Sequence, residues 1–215
     1  MKSKLVLRYG AVLAFQFVGM MPAYADAVFT LGNQSMQDEE NILFETSQIG
    51  RVIYGFTDRT DSQIQFVSSE ILVVTAGGQE ITGQNGLIDF LRISAPGSQG
   101  FKGFVIDPFN PVTNNDLFVF VFMTDGSGFG FHGYGETNSD NFLTITTAND
   151  ELISYIEIVS RDGFEGLRQP QIAGLVAIPE PSTSTLLLMS GGLLAFTGKL
   201  RRGCGQRQDC HSQHK

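Results

Sequence analysis

Apolar and polar positions alternate along most of this chain with a period of two, in short runs, and the central region never settles into a 3.6-residue period. Clusters of Gly, Asn, Asp and Ser interrupt the runs every ten residues or so, which is the punctuation of an antiparallel β protein. Residues 28–31 open a short strand, and residues 32–40, carrying Asp38, Glu39 and Glu40, form a polar loop. Residues 41–46 and 51–57 read as a hairpin around 47–50, followed by separate strands at 63–68 and 71–75. Residues 79–82 and 87–94 flank Gly83-Gln84-Asn85-Gly86, whose Asn-Gly pair suits the positive φ values of a tight hairpin. A strand at 101–107 precedes a loop at 108–115 that contains Pro111.

Residues 116–124 are the most apolar run of the body, and apolar positions on both faces predict a central strand covered on each side. In residues 125–135 glycine takes nearly every second position, which leaves one face of a strand bare or makes a flexible loop. Residues 141–147 and 152–161 are expected to pair across 148–151, and 171–177 form the last strand. About a dozen short strands predict an all-β fold: a two-sheet antiparallel sandwich, jelly-roll-like, at residues 26–177. With 18 Phe and no Trp, its core is expected to be phenylalanine-rich.

The two ends break this pattern. At 1–25, Lys2, Lys4 and Arg8 precede an uncharged run, and Ala23 and Ala25 place small residues where signal peptidase reads, predicting a signal peptide cleaved after Ala25. At 178–202, Pro179-Glu180-Pro181 stands before Thr183-Ser184-Thr185, an uncharged run at 186–198, and a basic stop of Lys199, Arg201 and Arg202. The prolines fix φ and bias Ile178 and Glu180 toward extended backbone, the form a protease cleft accepts. The uncharged run is short for a transmembrane helix, but its mid-span Gly191-Gly192 is tolerated in membranes and its basic end orients it body-outside. Residues 203–215 extend this as a cytoplasmic tail.

Charge sharpens the picture. Between residues 26 and 178 there are 6 Lys/Arg and 20 Asp/Glu, 6 − 20 = −14, against −8 for the whole chain. So acidic a body is repelled by nucleic acid, and nucleic acid is not an expected partner. Both cysteines, Cys204 and Cys210, lie beyond the body, which therefore has no disulfide framework and rests on its core.

Pro179-Glu180-Pro181-Ser182-Thr183, the Leu-rich span and Arg201-Arg202 resemble the PEP-CTERM sorting domain of exported bacterial proteins. The body is similar to proteins that carry this tail at residues 37–44, at 141–145, and from Gly163-Phe164 to Leu167-Arg168-Gln169. The extension past residue 202 departs from the usual Arg-rich end. The resemblance implies a substrate of an exosortase, a membrane protease of Gram-negative bacteria that make exopolysaccharide. It implies a protein first anchored in the inner membrane and then placed at the cell surface or outside the cell. There it would act without enzymatic activity, in association with exopolysaccharide or biofilm.

Two alternatives stay open on the residues. A glycan- or calcium-binding module would use Asp125, Tyr134 and Asp140 in the Gly-rich and neighbouring loops, with Tyr134, Phe129 and Phe131 as sugar-stacking rings. The other side of that reading turns Phe129 and Phe131 to the core and the glycines outward. No EF-hand spacing is present, and Cys204, Cys210, His211 and His214 in the tail are a weak zinc signal, so no cofactor is expected, with calcium the one open alternative. A polysaccharide hydrolase or lyase would need a carboxylate pair that spacing alone does not locate, and His132 lacks a Gly-x-Ser-x-Gly partner.

Overall fold

The computed structural model describes residues 26–75, 77–148 and 150–178. They form strands β1 (Ala27–Leu31), β2 (Glu39–Phe44), β3 (Ile49–Thr57), β4 (Gln63–Val74), β5 (Glu80–Gly83), β6 (Ile88–Ser94), β7 (Gln99–Gly100) and β8 (Gly103–Ile106). Then come β9 (Pro108–Pro111), β10 (Leu117–Met123), β11 (Gly128–Tyr134), β12 (Leu143–Thr147), β13 (Ile153–Arg168), β14 (Gln171–Ala173) and β15 (Val176–Ala177). The described residues contain no helix, so the fold is all-β. The expected transmembrane helix and the signal peptide lie outside the described residues.

Strand ladders run antiparallel along one path, β1-β12-β8-β14-β2-β3-β4-β5-β13-β10-β11, with β6 beside β4 and β13 and β9 beside β13. This is not the pair of separate sheets expected of a jelly roll, because β2 belongs to both layers. Its first half pairs with β14 at Glu39–Asn41, and its second half pairs with β3 at Ile42–Phe44. The sheet thus folds over at β2, and its two end strands meet again through side chains: Phe29 of β1 stacks on Phe131 of β11 at 5.3 Å. Between the layers lies one apolar cluster whose largest fully buried members are Phe66, Phe101, Phe104 and Phe164.

Two long strands explain the departures from the local reading. β4 runs unbroken through residues 63–74, and β13 spans sixteen residues, pairing with β5, β6, β9 and β10. Residues on either side of Asn85-Gly86 are not a hairpin. Instead β5 and β6 lie end to end in the slot between β4 and β13, antiparallel to both. That slot satisfies the backbone of both short strands on two sides, which a hairpin could not do. Only Gly86 of the intervening turn has positive φ, at 93°.

The expected pairing of residues 141–147 with 152–161 also fails. β12 sits between β1 and β8, whereas β13 lies in the opposite layer, so the two strands are not a hairpin pair. Part of the expected loop at 108–115 is β9, which pairs only with β13 and so accommodates Pro108 and Pro111. The run at 116–124 is central, held by β11 and β13, but just one face is buried: Leu117, Val119, Val121 and Met123 enter the core. Phe118, Phe120 and Phe122 point outward.

Candidate functional site

Three regions carry the chemistry of the described residues. The first is the exit of the chain from the body. After β14 the backbone turns at Gly174, with φ +62°, where a Cβ would press on the Lys102 side chain. Leu175 then packs on the core, and β15 pairs with β7 through Val176↔Gly100 and Ala177↔Gln99. The Ile178 amide donates to the Ser98 carbonyl at 2.7 Å. Residues 174–176 also wall a groove of about 680 Å³ on the outer face of β12 and β8, floored by Thr144, Thr146 and Gly103. Pro179, Glu180, Pro181, Lys199, Arg201 and Arg202 lie outside the described residues, as do Ala23 and Ala25.

The second region is the outward face of β11, β10, β13 and β6. Period-two alternation brings Phe118, Phe120 and Phe122 onto it, beside Tyr155 of β13 and Phe90 and Arg92 of β6. Cross-strand neighbours stack: Phe118 on His132 at 3.8 Å and Phe122 on Tyr155 at 4.4 Å. The Arg92 guanidinium lies 4.8 Å from the Tyr155 ring centre and donates through Nε to Glu157 at 2.9 Å. Gly128 and Gly130 stand exposed on this face, and Cβ atoms there would touch the Phe122 and Phe120 rings at 3.5 and 3.3 Å. Phenylalanine rings thus lie against bare backbone, and Phe120 remains 37 % exposed. The arrangement offers an apolar aromatic strip with one ion pair at its margin, chemistry that suits the C–H faces of sugar rings. Phe129 and Phe131 turn the other way and pack against the core.

The third region holds the residues expected to form a calcium or glycan loop: Tyr134 and Asp140 line one pocket beside Glu136 and Asn141, and Asp125 lies apart from them. Asp125 lies in the β10–β11 turn and Tyr134 ends β11, six residues and roughly 20 Å of strand beyond Gly128. Asp125 accepts from the Ser127 hydroxyl and amide at 2.7 and 2.8 Å, and these bonds hold its pKa below the ordinary carboxylate value. Tyr134 is not a stacking ring, since it is 5 % exposed and part of the core. Burial drives its pKa well up, with the nearby Asp107 charge adding to this, and its hydroxyl has no hydrogen-bond partner. Asp140 pairs with Arg168 at 2.8 Å. Among the described residues no group of three or more His, Cys, Asp or Glu is placed to hold a metal ion.

Sequence reasoning missed what Asp140 does take part in. Asp107, 2 % exposed, lies 3.2 Å from Arg168 and accepts from the Asn141 amide at 2.7 Å. Asn141 in turn donates to the Pro108 and Glu136 carbonyls, each at 3.0 Å, tying the loop at 136–141 to the start of β9. Burial raises the Asp107 pKa, and the Asn141 amide and Arg168 offset this only partly. Arg168 also lies over the Phe109 ring at 4.7 Å. This cluster fastens one end of the fold. Its only sequence signal is that Arg168 is one of 6 cations set among 20 acids.

Comparison with protein families matches the PEP-CTERM protein-sorting motif at residues 177–202. No curated protein and no solved structure matches the chain. A sorting-motif protein is therefore what the exit strand leads into, and the chain carries a PEP-CTERM sorting domain. The motif implies export, transient membrane anchoring and an exosortase as processing partner. It spans 26 residues (202 − 177 + 1) of 215 and so speaks for the exit segment rather than for the β body.

Proposed function

We propose that the processed protein is a non-enzymatic component of the cell surface or extracellular matrix that associates with exopolysaccharide through the aromatic outer face of β10 and β13. Signal peptidase removes residues 1–25, the span at 186–198 holds the chain in the inner membrane, and the exosortase cuts near Pro179-Glu180-Pro181. The observation that carries the polysaccharide reading is the outward strip of Phe118, Phe120 and Phe122, with Phe120 and Phe122 against bare glycine backbone and Phe120 exposed, on a domain otherwise strongly acidic. An acidic body binds a polymer of sugars by stacking rather than by charge, and the strip supplies the rings.

Affinity electrophoresis through the producing host's own exopolysaccharide tests this. The wild-type protein is expected to be retarded, and Phe120→Ala, at an exposed position, to weaken retention about fivefold, the equivalent of about 1 kcal/mol of lost stacking. Equal mobility with and without polymer would overturn the reading. The same samples are expected to release no reducing ends from the polymer, and excess calcium to leave the melting temperature unchanged. Released ends would favour a hydrolase, and a rise in melting temperature would favour the calcium-binding module.

A further inference from the structure

The sorting motif does not begin on a free linker. Its first residue, Ala177, is already paired with Gln99, and Ile178, immediately before Pro179, gives its amide to Ser98. We infer that Val176–Ala177 and Ile178 form a shared strand: β7 holds it in the folded body, and the processing protease must take it from β7 to reach the Pro179-Glu180-Pro181 triplet. The inference rests on the sorting reading given above.

Two independent facts support it. One is backbone chemistry. Proteases bind their substrates extended, through main-chain N–H and C=O groups, by adding a strand. The main-chain groups of Val176 and Ile178 that face β7 are taken by Gly100 and Ser98, while those of Ala177 point away, so cleft and body compete for the donors and acceptors on the β7 side of the strand. The other is reach. With Ile178 held, only the seven residues 179–185 separate the body from the apolar run at 186, at most about 25 Å of extended chain. Headgroups fill part of that length. Freed from Gly174 onward, the tether grows to twelve residues, 174–185, and about 40 Å.

The body is built to let go at this place. β15 is two residues long, Val176 is 43 % exposed, and Leu175, just before the strand, is the one core-packed side chain of residues 174–178. Gly174, at φ +62°, supplies a natural pivot. β14, one turn earlier, is held on both sides by β2 and β8 and sets the limit of release.

A cross-strand lock tests the competition. Because Ile178 bonds Ser98, the Ala177↔Gln99 pair is a non-hydrogen-bonded one, with Cα atoms about 4.5 Å apart and within disulfide reach. The full chain carrying Gln99→Cys and Ala177→Cys, with Cys204→Ser and Cys210→Ser to prevent mispairing, is expressed in an exosortase-bearing host. The bridge is verified by thiol titration. The locked chain is expected to remain full-length in the membrane fraction, with mature product reduced about tenfold, while each single-cysteine chain matures normally. Inserting twelve Gly/Ser residues between Ile178 and Pro179 of the locked chain is expected to restore maturation, which a misfolded body would not allow. Normal maturation of the locked chain, or no rescue by the insertion, overturns the shared-strand inference. Glu180→Ala serves as the separate check: if that chain also matures normally, the sorting reading itself fails.

Discussion

At the scale of single residues, the Asp107–Arg168 contact makes the sharpest demand. Asp107 is buried and its pKa lies above the unfolded value, so the folded state holds its proton more tightly than the unfolded chain does. Its contribution is fully present below the unfolded carboxylate pKa and is lost as pH rises through the folded one. Glu40 and Asp116 behave oppositely: burial acts to raise each, but hydrogen bonds outweigh it and hold both below the ordinary value, so their contributions fade as pH falls. Asp107→Asn keeps an oxygen for the Asn141 amide and removes the rising cost of a buried charge. Its melting temperature at pH 7 is expected to match or exceed the wild type, with the gap closing toward pH 4. Thermal melts across that range check it, and a large loss at pH 7 would show the charge itself to be stabilising. None of this was visible in the sequence, where Asp107 merely closes the strand expected at 101–107 and Asp140 reads as a loop acid. A carboxylate's partner, sixty-one residues away at Arg168, is chosen by the fold (168 − 107).

At the scale of elements, the alternation of side chains was legible and the choice of neighbours was not. β10 follows its period-two pattern, and β11 turns its glycines outward and its phenylalanines in, as one reading of residues 125–135 required. The Asn85-Gly86 turn and the polar step at 148–151 misled because a turn signal says that the chain bends, not which strand it bends toward. β4 and β13 decide that, by offering long ladders to several short strands at once. Glycine marks where they fit most closely. A Cβ at Gly166 of β13 would lie 2.3 Å from the Ile81 carbonyl oxygen of β5 and 2.8 Å from the Phe109 ring of β9. Gly166→Ala must displace the β5 backbone and the Phe109 ring, and is expected to cost about 1–3 kcal/mol, seen as a lower urea midpoint at an unchanged slope.

At the scale of the whole molecule, both ends of the described body, Asp26 and Val176–Ile178, are tied back to it. The Asp26 amide donates to Glu151 at 2.9 Å. Cleavage after Ala25 would turn this amide into the terminal ammonium and the contact into an ion pair. The mass of the secreted protein is expected to give Asp26 as its first residue, and any other start would displace that contact. The order of strands has a consequence for timing. Apart from the two-residue β15, β13 and β14 come last among the long-range partners, yet the first completes the slot that receives β5 and β6, and the second stands between β2 and β8. A chain crossing a membrane from its N-terminus has nothing to close its core upon until residue 173 is through. The apolar run begins thirteen residues later (186 − 173), so if it anchors the chain as proposed, translocation would halt soon after β14 arrives, with β15 between them. On the proposed anchoring, arrest in the bilayer and completion of the core would be nearly simultaneous events, and the domain would be finished on the membrane surface rather than adrift from it.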